Sequence, residues 1–276
     1  MRLVMFGEKG GERPGLLQGD NVVDLKKIFP GIPPIGEAFF EEGWPAKIEG
    51  IDQPGEPLGI RLASPVLRPS KIICLGKNYA EHAKEGGFDN PASPLIFCKT
   101  PNTVSGPFDD ILTPQSSGQV DWEVELALVI GRRGKAITRD TALDYIAGFM
   151  VMNDVSGREA QFADSQWFRG KAFDTFAPMG PALVTADEIE DLGNLVLTAR
   201  VNGEVMQSGN TRDMIFDIPT ILENISQDIT LLPGDVISTG TPSGVGIFRA
   251  PPITLKPGDV VACSISEIGT IRNRVV

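Results

Sequence analysis

The sequence predicts a mixed α/β fold dominated by β-strands, and three observations carry that prediction. Apolar runs of strand length recur along the chain. Asn202-Gly203 joins two of them as a two-residue hairpin turn. Two near-copies of one segment, Leu231-Leu-Pro-Gly-Asp-Val-Ile-Ser-Thr239 and Leu255-Lys-Pro-Gly-Asp-Val-Val-Ala-Cys263, each set a Pro-Gly-Asp turn before a strand.

In chain order, positions 6–24 read as short strands parted by Gly10-Gly11, Gly15 and Asp20-Asn21. Positions 30–59, rich in Pro and Gly, predict a short helix and loops. Ser64-Pro65 through Arg68-Pro69-Ser70 predicts a linker, because Pro cannot join a central ladder. The chain is therefore expected to divide into a small β-rich N-terminal domain, 1–67, and a larger domain, 70–276. Positions 71–75 predict a buried strand, and 123–130 a strand that starts with alternation and ends as an unbroken apolar run. A further apolar stretch covers 146–152, and 195–201 with 204–206 form the hairpin arms. Helices are expected at 78–85, 141–147 and 218–228, the last because Ile218, Ile221, Leu222 and Ile225 fall at helical spacing.

Composition excludes several classes. Lys plus Arg number 25 and Asp plus Glu 36, a net charge of −11. No basic footprint for nucleic acid exists, and the surface suits anionic membrane poorly. An anionic substrate must be drawn by local cations or a metal rather than by the overall field. No apolar run approaches the ~20 residues of a membrane span, and the N-terminus lacks a signal-peptide core. Cys74, Cys98 and Cys263 are odd in number with no CxxC spacing, so they read as reduced thiols and predict a cytoplasmic protein.

Five constellations bear on chemistry. In Asp121-Trp-Glu-Val-Glu125 a strand would place Asp121, Glu123 and Glu125 on one side. Like charges so placed repel unless solvated or neutralised. A solvated edge face is one reading. A divalent cation is the other, because the strand runs straight into an apolar stretch. Asp154, closing 146–153, either supplies a third oxygen or caps the next helix. Three carboxylates suit Mg²⁺ or Mn²⁺, while zinc is disfavoured with no His or Cys nearby. In Lys77-Asn-Tyr-Ala-Glu-His-Ala-Lys-Glu85, Asn78 is the expected helix cap and Gly86-Gly87 the stop. His82, the one histidine, meets Glu85 at i, i+3: a water-activating dyad or an ordinary surface pair. Lys171, among aromatics, is a cation for an anionic substrate or a snorkelling side chain. The Gly-rich segment from Ser238 to Gly246 lacks GxxxxGK and a following helix, so it is no phosphate loop. Its amides and the Thr241 hydroxyl suit a carboxylate better.

Taken together, these motifs resemble the fumarylacetoacetate hydrolase family: Gly-x-Asn-Tyr-x-x-His-x-x-Glu at 76–85, Glu-x-Glu at 123–125, Asp154 followed by Arg158 and Gln161, Lys171-x-Phe-Asp-Thr-Phe, and Thr-Gly-Thr-Pro-x-Gly-Val at 239–245. The resemblance covers about 70–276 and is nearest the acylpyruvase-like, sugar-acid branch. It implies a mixed β-sandwich roll with a small N-terminal domain and a lid helix, a Mg²⁺ or Mn²⁺ site, and a homodimer. By matched position, the metal ligands would be Glu123, Glu125 and Asp154. His82 and Glu85 would be the catalytic dyad, and Lys171 would steady an enolate. Arg158, Gln161 and Thr241 would contact substrate, with Tyr79 and Lys99 as further candidates. Gly157, Glu159 and the Cys98-Lys99-Thr-Pro segment depart from the usual family pattern near where substrate would be selected.

The activity expected on this resemblance is metal-dependent hydrolysis of a carbon–carbon bond in a 2,4-dioxo acid, giving pyruvate and a second acid through an enolate. The alternatives are decarboxylation of oxaloacetate, or isomerisation or hydration of a 2-hydroxyhepta-2,4-diene-1,7-dioate. A metal-stabilised binding protein without turnover is the reading from outside enzymology.

Overall fold

The computed structural model describes residues 1–276 apart from positions 52 and 58, both inside the stretch expected to hold loops and a short helix. Strands β1 (Arg2–Phe6), β2 (Arg13–Gln18) and β3 (Asn21–Asp24) open the chain. They are followed by β4 (Ile72–Gly76), β5 (Leu95–Lys99), β6 (Val124–Ile130), β7 (Ile146–Asn153) and β8 (Ala177–Val184). The last group is β9 (Val196–Val201), β10 (Glu204–Asn210), β11 (Val236–Ser238), β12 (Val260–Ile265) and β13 (Gly269–Arg274). Helices are short: α1 (Leu25–Ile28), α2 (Glu37–Glu41), α3 (Trp44–Ile48), α4 (Ala80–Glu85), α5 (Arg158–Phe162), α6 (Phe168–Lys171) and α7 (Ile218–Ser226).

One large sheet runs in the order β3-β2-β1-β8-β7-β6-β11-β4-β5. Neighbours along this path are antiparallel except β11 and β4. Arg2 and Leu3 of β1 pair with Val184 and Leu183 of β8, so the strands of the 1–67 segment extend the same sheet. A second sheet, β10-β9-β12-β13, is antiparallel throughout. The fold is thus a β-dominated mixed α/β sandwich.

Period-two alternation decides which face of the large sheet each side chain takes. Leu126, Leu128, Phe149 and Val151 pack toward Leu197, Ala199, Cys263 and Ile265 of the second sheet. Ala127, Val129, Met150, Met152, Ile72 and Cys74 face the other way, against Met5, Phe39 and Ile48 of the N-terminal segment. By the same alternation, Glu125 of β6 and Asp154, next after β7, fall on this second face. Every residue of β6 is buried, and at about 1.5–3 kcal/mol per buried aliphatic side chain that run holds its register firmly.

Several local expectations changed. Residues 141–147 do not form an α-helix: a 3₁₀ segment, Arg139–Tyr145, hands over to β7 at Ile146. Ile146 pairs with Ile130 of β6, and pairing of that kind overrides local propensity. The 30–59 stretch carries two successive helices, α2 and α3, where one was expected. The α7 helix ends at Ser226 and starts on Asp217, whose carboxylate accepts from Thr220 N at 2.9 Å. Asn202 (φ 51°) and Gly203 (φ 89°) make the expected hairpin turn. The two Pro-Gly-Asp segments fold alike: Asp235 accepts from Leu232 N at 2.7 Å, and Asp259 from Lys256 N at 2.8 Å.

Candidate active site

Carboxylates make the floor of the site. Glu123, Glu125 and Asp154 are buried, and each offers an oxygen within 4.8 Å of the others. Glu125 belongs to β6, where its Oε2 accepts from the Ser238 hydroxyl and from Gly240 N at 3.0 Å. Glu123 precedes β6. Its amide donates to Asn153 Oδ1 at 3.0 Å, and its carbonyl accepts from Asp154 N at 2.8 Å, which ties the starts and ends of β6 and β7 together. Burial rules out the solvated-edge reading. Asp154 is no helix cap either, since α5 begins after Gly157 without a side-chain cap bond.

Asp121 does not share their side. The ladder breaks between β6 and Val120–Asp121, which pairs instead with Ser156–Gly157. Asp121 therefore turns to Arg158, which reaches it from Nε at 2.9 Å and Nη2 at 2.8 Å. It also accepts from Gly246 N at 2.7 Å and Ile247 N at 3.0 Å.

Three buried cations answer the acids. Lys171 Nζ bridges Glu123 Oε2 at 2.7 Å and Asp154 Oδ2 at 2.6 Å. Gly170 makes that reach possible: a Cβ there would lie 2.6 Å from Gln161 N and from Gly157 O, so only glycine lets α6 press against α5. Lys99 Nζ donates to Asp154 Oδ1 at 2.6 Å and Val155 O at 3.1 Å. Arg158 Nη2 pairs with Glu123 Oε1 at 2.7 Å, and Nη1 donates to Gln161 Oε1 at 2.9 Å.

The electrostatics follow from this wiring. Burial alone would raise the Glu123 carboxyl, but Lys171 and Arg158 outweigh it and hold it well below the usual range. Burial would lower Lys171 and Arg158, and their carboxylate partners lift both above the ordinary value. Lys99 is lowered by burial, only partly offset by Asp154. Glu125 differs. Burial, then Asp154 and Glu123, push its carboxyl well above the usual range, because no cation pairs with it among the described residues. Four buried carboxylates (Asp121, Glu123, Glu125, Asp154) thus face three buried cations. An all-oxygen donor set with one negative charge in excess fits a hard divalent ion such as Mg²⁺ or Mn²⁺. Such an ion leaves the cluster one charge positive, ready for an anion.

Over the floor stands the rim, α4. His82 Nδ1 donates to Glu85 Oε1 at 2.8 Å, and Gly244 N donates to Glu85 Oε2 at 2.8 Å. Glu85 is therefore fixed as an acceptor, the ring proton is assigned to Nδ1, and Nε2 keeps its lone pair. Gly86-Gly87 does end the helix, with Phe88 N on Ala83 O and Gly87 at φ 71°. Asn78 is not its cap. It is buried, donates to Phe216 O at 3.1 Å and Thr239 O at 2.8 Å, and so anchors the helix entry to the Gly-rich loop. That loop gives its amides to the chain's own acids: Gly240 to Glu125, Gly244 to Glu85, Gly246 to Asp121.

Floor and rim enclose a cavity of about 280 Å³. Glu123, Glu125, Arg158, Gln161, Lys171 and His82 line it, with Thr241. The Thr241 hydroxyl donates to Val124 O and accepts from Gln207 Nε2, so it is engaged within the protein. Lys99 and Tyr79 are not among the lining residues. Lys99 sits behind Asp154, and the buried Tyr79 hydroxyl has no hydrogen-bond partner among the described residues. Sequence reasoning missed the walls: Phe88 with Phe248, and Phe97 with Trp167, two edge-on aromatic pairs. It also missed Lys77. Phe88, Trp167 and Phe248 lie outside regular strands and carry no periodic signal, although Phe88 follows a helix stop directly, and Phe97 of β5 reads by itself as an ordinary strand residue.

Comparison with known proteins agrees with this geometry. The family model described as fumarylacetoacetate (FAA) hydrolase, C-terminal, matches residues 71–276. A Bos taurus protein named oxaloacetate tautomerase FAHD2A, mitochondrial, is 46% identical over 288 residues, covering 100% of this chain and 92% of that one. The structure of 2-hydroxyhepta-2,4-diene-1,7-dioate isomerase from Mycobacterium marinum is 37% identical with a TM-score of 0.81, covering 100% of this chain and 98% of that one. Maleylpyruvate hydrolase from Sphingobium sp. SYK-6, in complex with manganese (II) ion and pyruvate, is 32% identical with a TM-score of 0.82, covering 100% and 99%. The cytoplasmic expectation is overturned by the first of these relatives, which is named mitochondrial. Unpaired thiols report reducing surroundings, and that alone does not choose a compartment.

Proposed function

The chain belongs to the fumarylacetoacetate hydrolase family, and from that premise we propose that it moves a proton at C3 of a small 2-oxo dicarboxylic acid, interconverting keto and enol forms as in oxaloacetate. The observation that carries the reading is the His82–Glu85–Gly244 chain of hydrogen bonds above three buried carboxylates. The name of the 46% identical relative supports a tautomerase over the carbon–carbon hydrolase first expected.

Glu123, Glu125 and Asp154 are the residues to hold Mg²⁺ or Mn²⁺, which when bound supplies a chelation point for a 2-oxo acid and positive charge for an enolate. The chain's own residues do the rest. Arg158 fixes the Gln161 amide by donating to its oxygen, which leaves Gln161 Nε2 free to donate to substrate. Lys171, held protonated by its acidic neighbours, keeps a positive charge beside the reacting centre. His82 Nε2 takes a proton from C3, the C2–C3 double bond forms, and the carbonyl electrons move to the 2-oxo oxygen. The imidazolium returns its proton to that oxygen, and in the reverse direction to C3. Glu85 steadies the imidazolium throughout. The aromatic walls keep water from the enolate. Thr241 shapes the cavity wall, and Tyr79 and Lys99 support the floor from behind.

The test follows the enol of oxaloacetate by its ultraviolet absorbance, with Mg²⁺ and then with a chelator. Acceleration that depends on the ion and on His82 is expected. If wild-type protein leaves keto–enol exchange at its uncatalysed rate, the reading fails. Hydrolysis of a 2,4-dioxo acid is the second reading, favoured by the likeness to maleylpyruvate hydrolase. In it His82 takes its proton from water, and release of pyruvate from acetylpyruvate identifies it. Association as a homodimer belongs to the same proposal, and light scattering checks it.

A further inference from the structure

One cation that lines the cavity has no carboxylate of its own. Arg158 is committed to Asp121 and Glu123, and Lys171 to Glu123 and Asp154. Lys77 also lines the cavity, forms no ion pair among the described residues, and has its Nζ 3.8 Å from the centre of the Phe88 ring. Phe88 in turn packs edge-on against Phe248, and Phe248 lies beside His82, so this ammonium stands at the aromatic wall next to the base. Its backbone is unusual as well. Lys77 has φ 58°, the left-handed region that a side chain with a Cβ enters at a cost. Strain held at a cavity wall points to a use for the side chain it aims.

The charge pattern says what that use is. The floor gathers the 2-oxo acid end of a substrate. Away from the floor, a second carboxylate on the same molecule would otherwise meet aromatic rings and His82, in a chain whose net charge of −11 repels it. A buried carboxylate without a partner is strongly disfavoured. We propose that Lys77 takes the carboxylate of the substrate that is remote from the acidic floor, and so selects dicarboxylic over monocarboxylic 2-oxo acids. This rests on the 2-oxo acid reading above and adds the residue that sets its specificity. An ammonium seated on a ring face is well suited: the ring holds it in place without neutralising its charge, and the N–H groups turned away from the ring stay available.

The experiment titrates the full chain, loaded with Mg²⁺, with oxaloacetate and with pyruvate by calorimetry, in wild type, Lys77→Met and Lys77→Arg. Wild type should bind oxaloacetate at least about tenfold more tightly than pyruvate, the worth of one charge-assisted hydrogen bond. Lys77→Met should shrink that ratio to within about twofold while leaving pyruvate affinity unchanged, and Lys77→Arg should restore most of it. For keto–enol exchange, Lys77→Met should raise KM and move kcat much less. The assignment is overturned if wild type does not discriminate, if Lys77→Met keeps the ratio, or if it weakens both ligands equally, as a purely structural role predicts. If wild type prefers oxaloacetate but does not speed its tautomers, the reaction reading falls and the role of Lys77 stands. If it binds neither anion, both fall.

Discussion

The floor and the rim of the cavity are built on opposite principles. Glu123, Glu125 and Asp154 sit buried at the ends of two central strands, Glu123 and Asp154 cross-linked by Lys171, Lys99 and Arg158 and Glu125 held by Ser238 and Gly240. His82 and Glu85 ride a helix of six residues, partly exposed, held over the floor through Gly244 N. On the proposed mechanism, charge is stored in the buried floor and the proton is handled at the more exposed rim. The contrast teaches that one site can need both a rigid anionic well and a light, replaceable cover.

The hardest way to break the comparison is Glu125→Gln. Metal affinity measured by calorimetry should fall beyond detection, and turnover with it by at least about 10³-fold. The same variant should raise the melting temperature of metal-free protein, because it removes a buried carboxylate that no cation pairs with. Removing metal from wild type should therefore lower its melting temperature and leave that of Glu125→Gln unmoved. A His82→Asn change should spare metal binding and cut turnover by roughly 10²–10⁴-fold, the usual worth of a general base. If metal affinity falls too, floor and rim are not separable.

A gentler change is Gly244→Ala. At φ 106° an alanine is strained, and its Cβ would run into Met206 O. Losing the hold on Glu85 should lower kcat by about tenfold with metal affinity intact.

The smallest effect concerns the join between the 1–67 segment, which we propose as a small β-rich domain, and the rest. Arg61 binds Asp109 through two nitrogens. Burial would raise the Asp109 carboxyl, and the Arg61 hydrogen bond with the Gly106 amide lowers it overall. A depressed carboxyl stabilises the fold above its ordinary range and loses that contribution as pH falls through the depressed value. Arg61→Ala should cost about 1 kcal/mol at neutral pH, and the gap from wild type in urea melts should close on acidification below about pH 4.

How far the site was legible depends on which force placed each residue. Glu125 and Asp154 could be read because apolar flanks force burial, and three acids so placed require a cation. The His82–Glu85 pair could be read because helical spacing brings i and i+3 together. Asp121 misled, because the ladder breaks at Trp122-Glu123, and that break depends on Asn153 catching the Glu123 amide from another strand. Asn78 misled in the same way: a good cap by type, it is taken by Thr239 and Phe216, more than a hundred positions away. Positions 141–147 misled too: 141–145 wind as a 3₁₀ turn and the strand takes over at Ile146, whose partner Ile130 lies in β6. Local chemistry is written locally, whereas long-range hydrogen bonds surface only when the chain closes.

The loop from Ser238 to Gly246 hands successive amides to Glu125, Glu85 and Asp121. On the proposed mechanism it acts as a ruler between the dyad that handles the proton and the carboxylates that would hold the metal. Deleting or inserting a single residue there would shift three acids at once, so the segment's length should tolerate far less drift than its side chains.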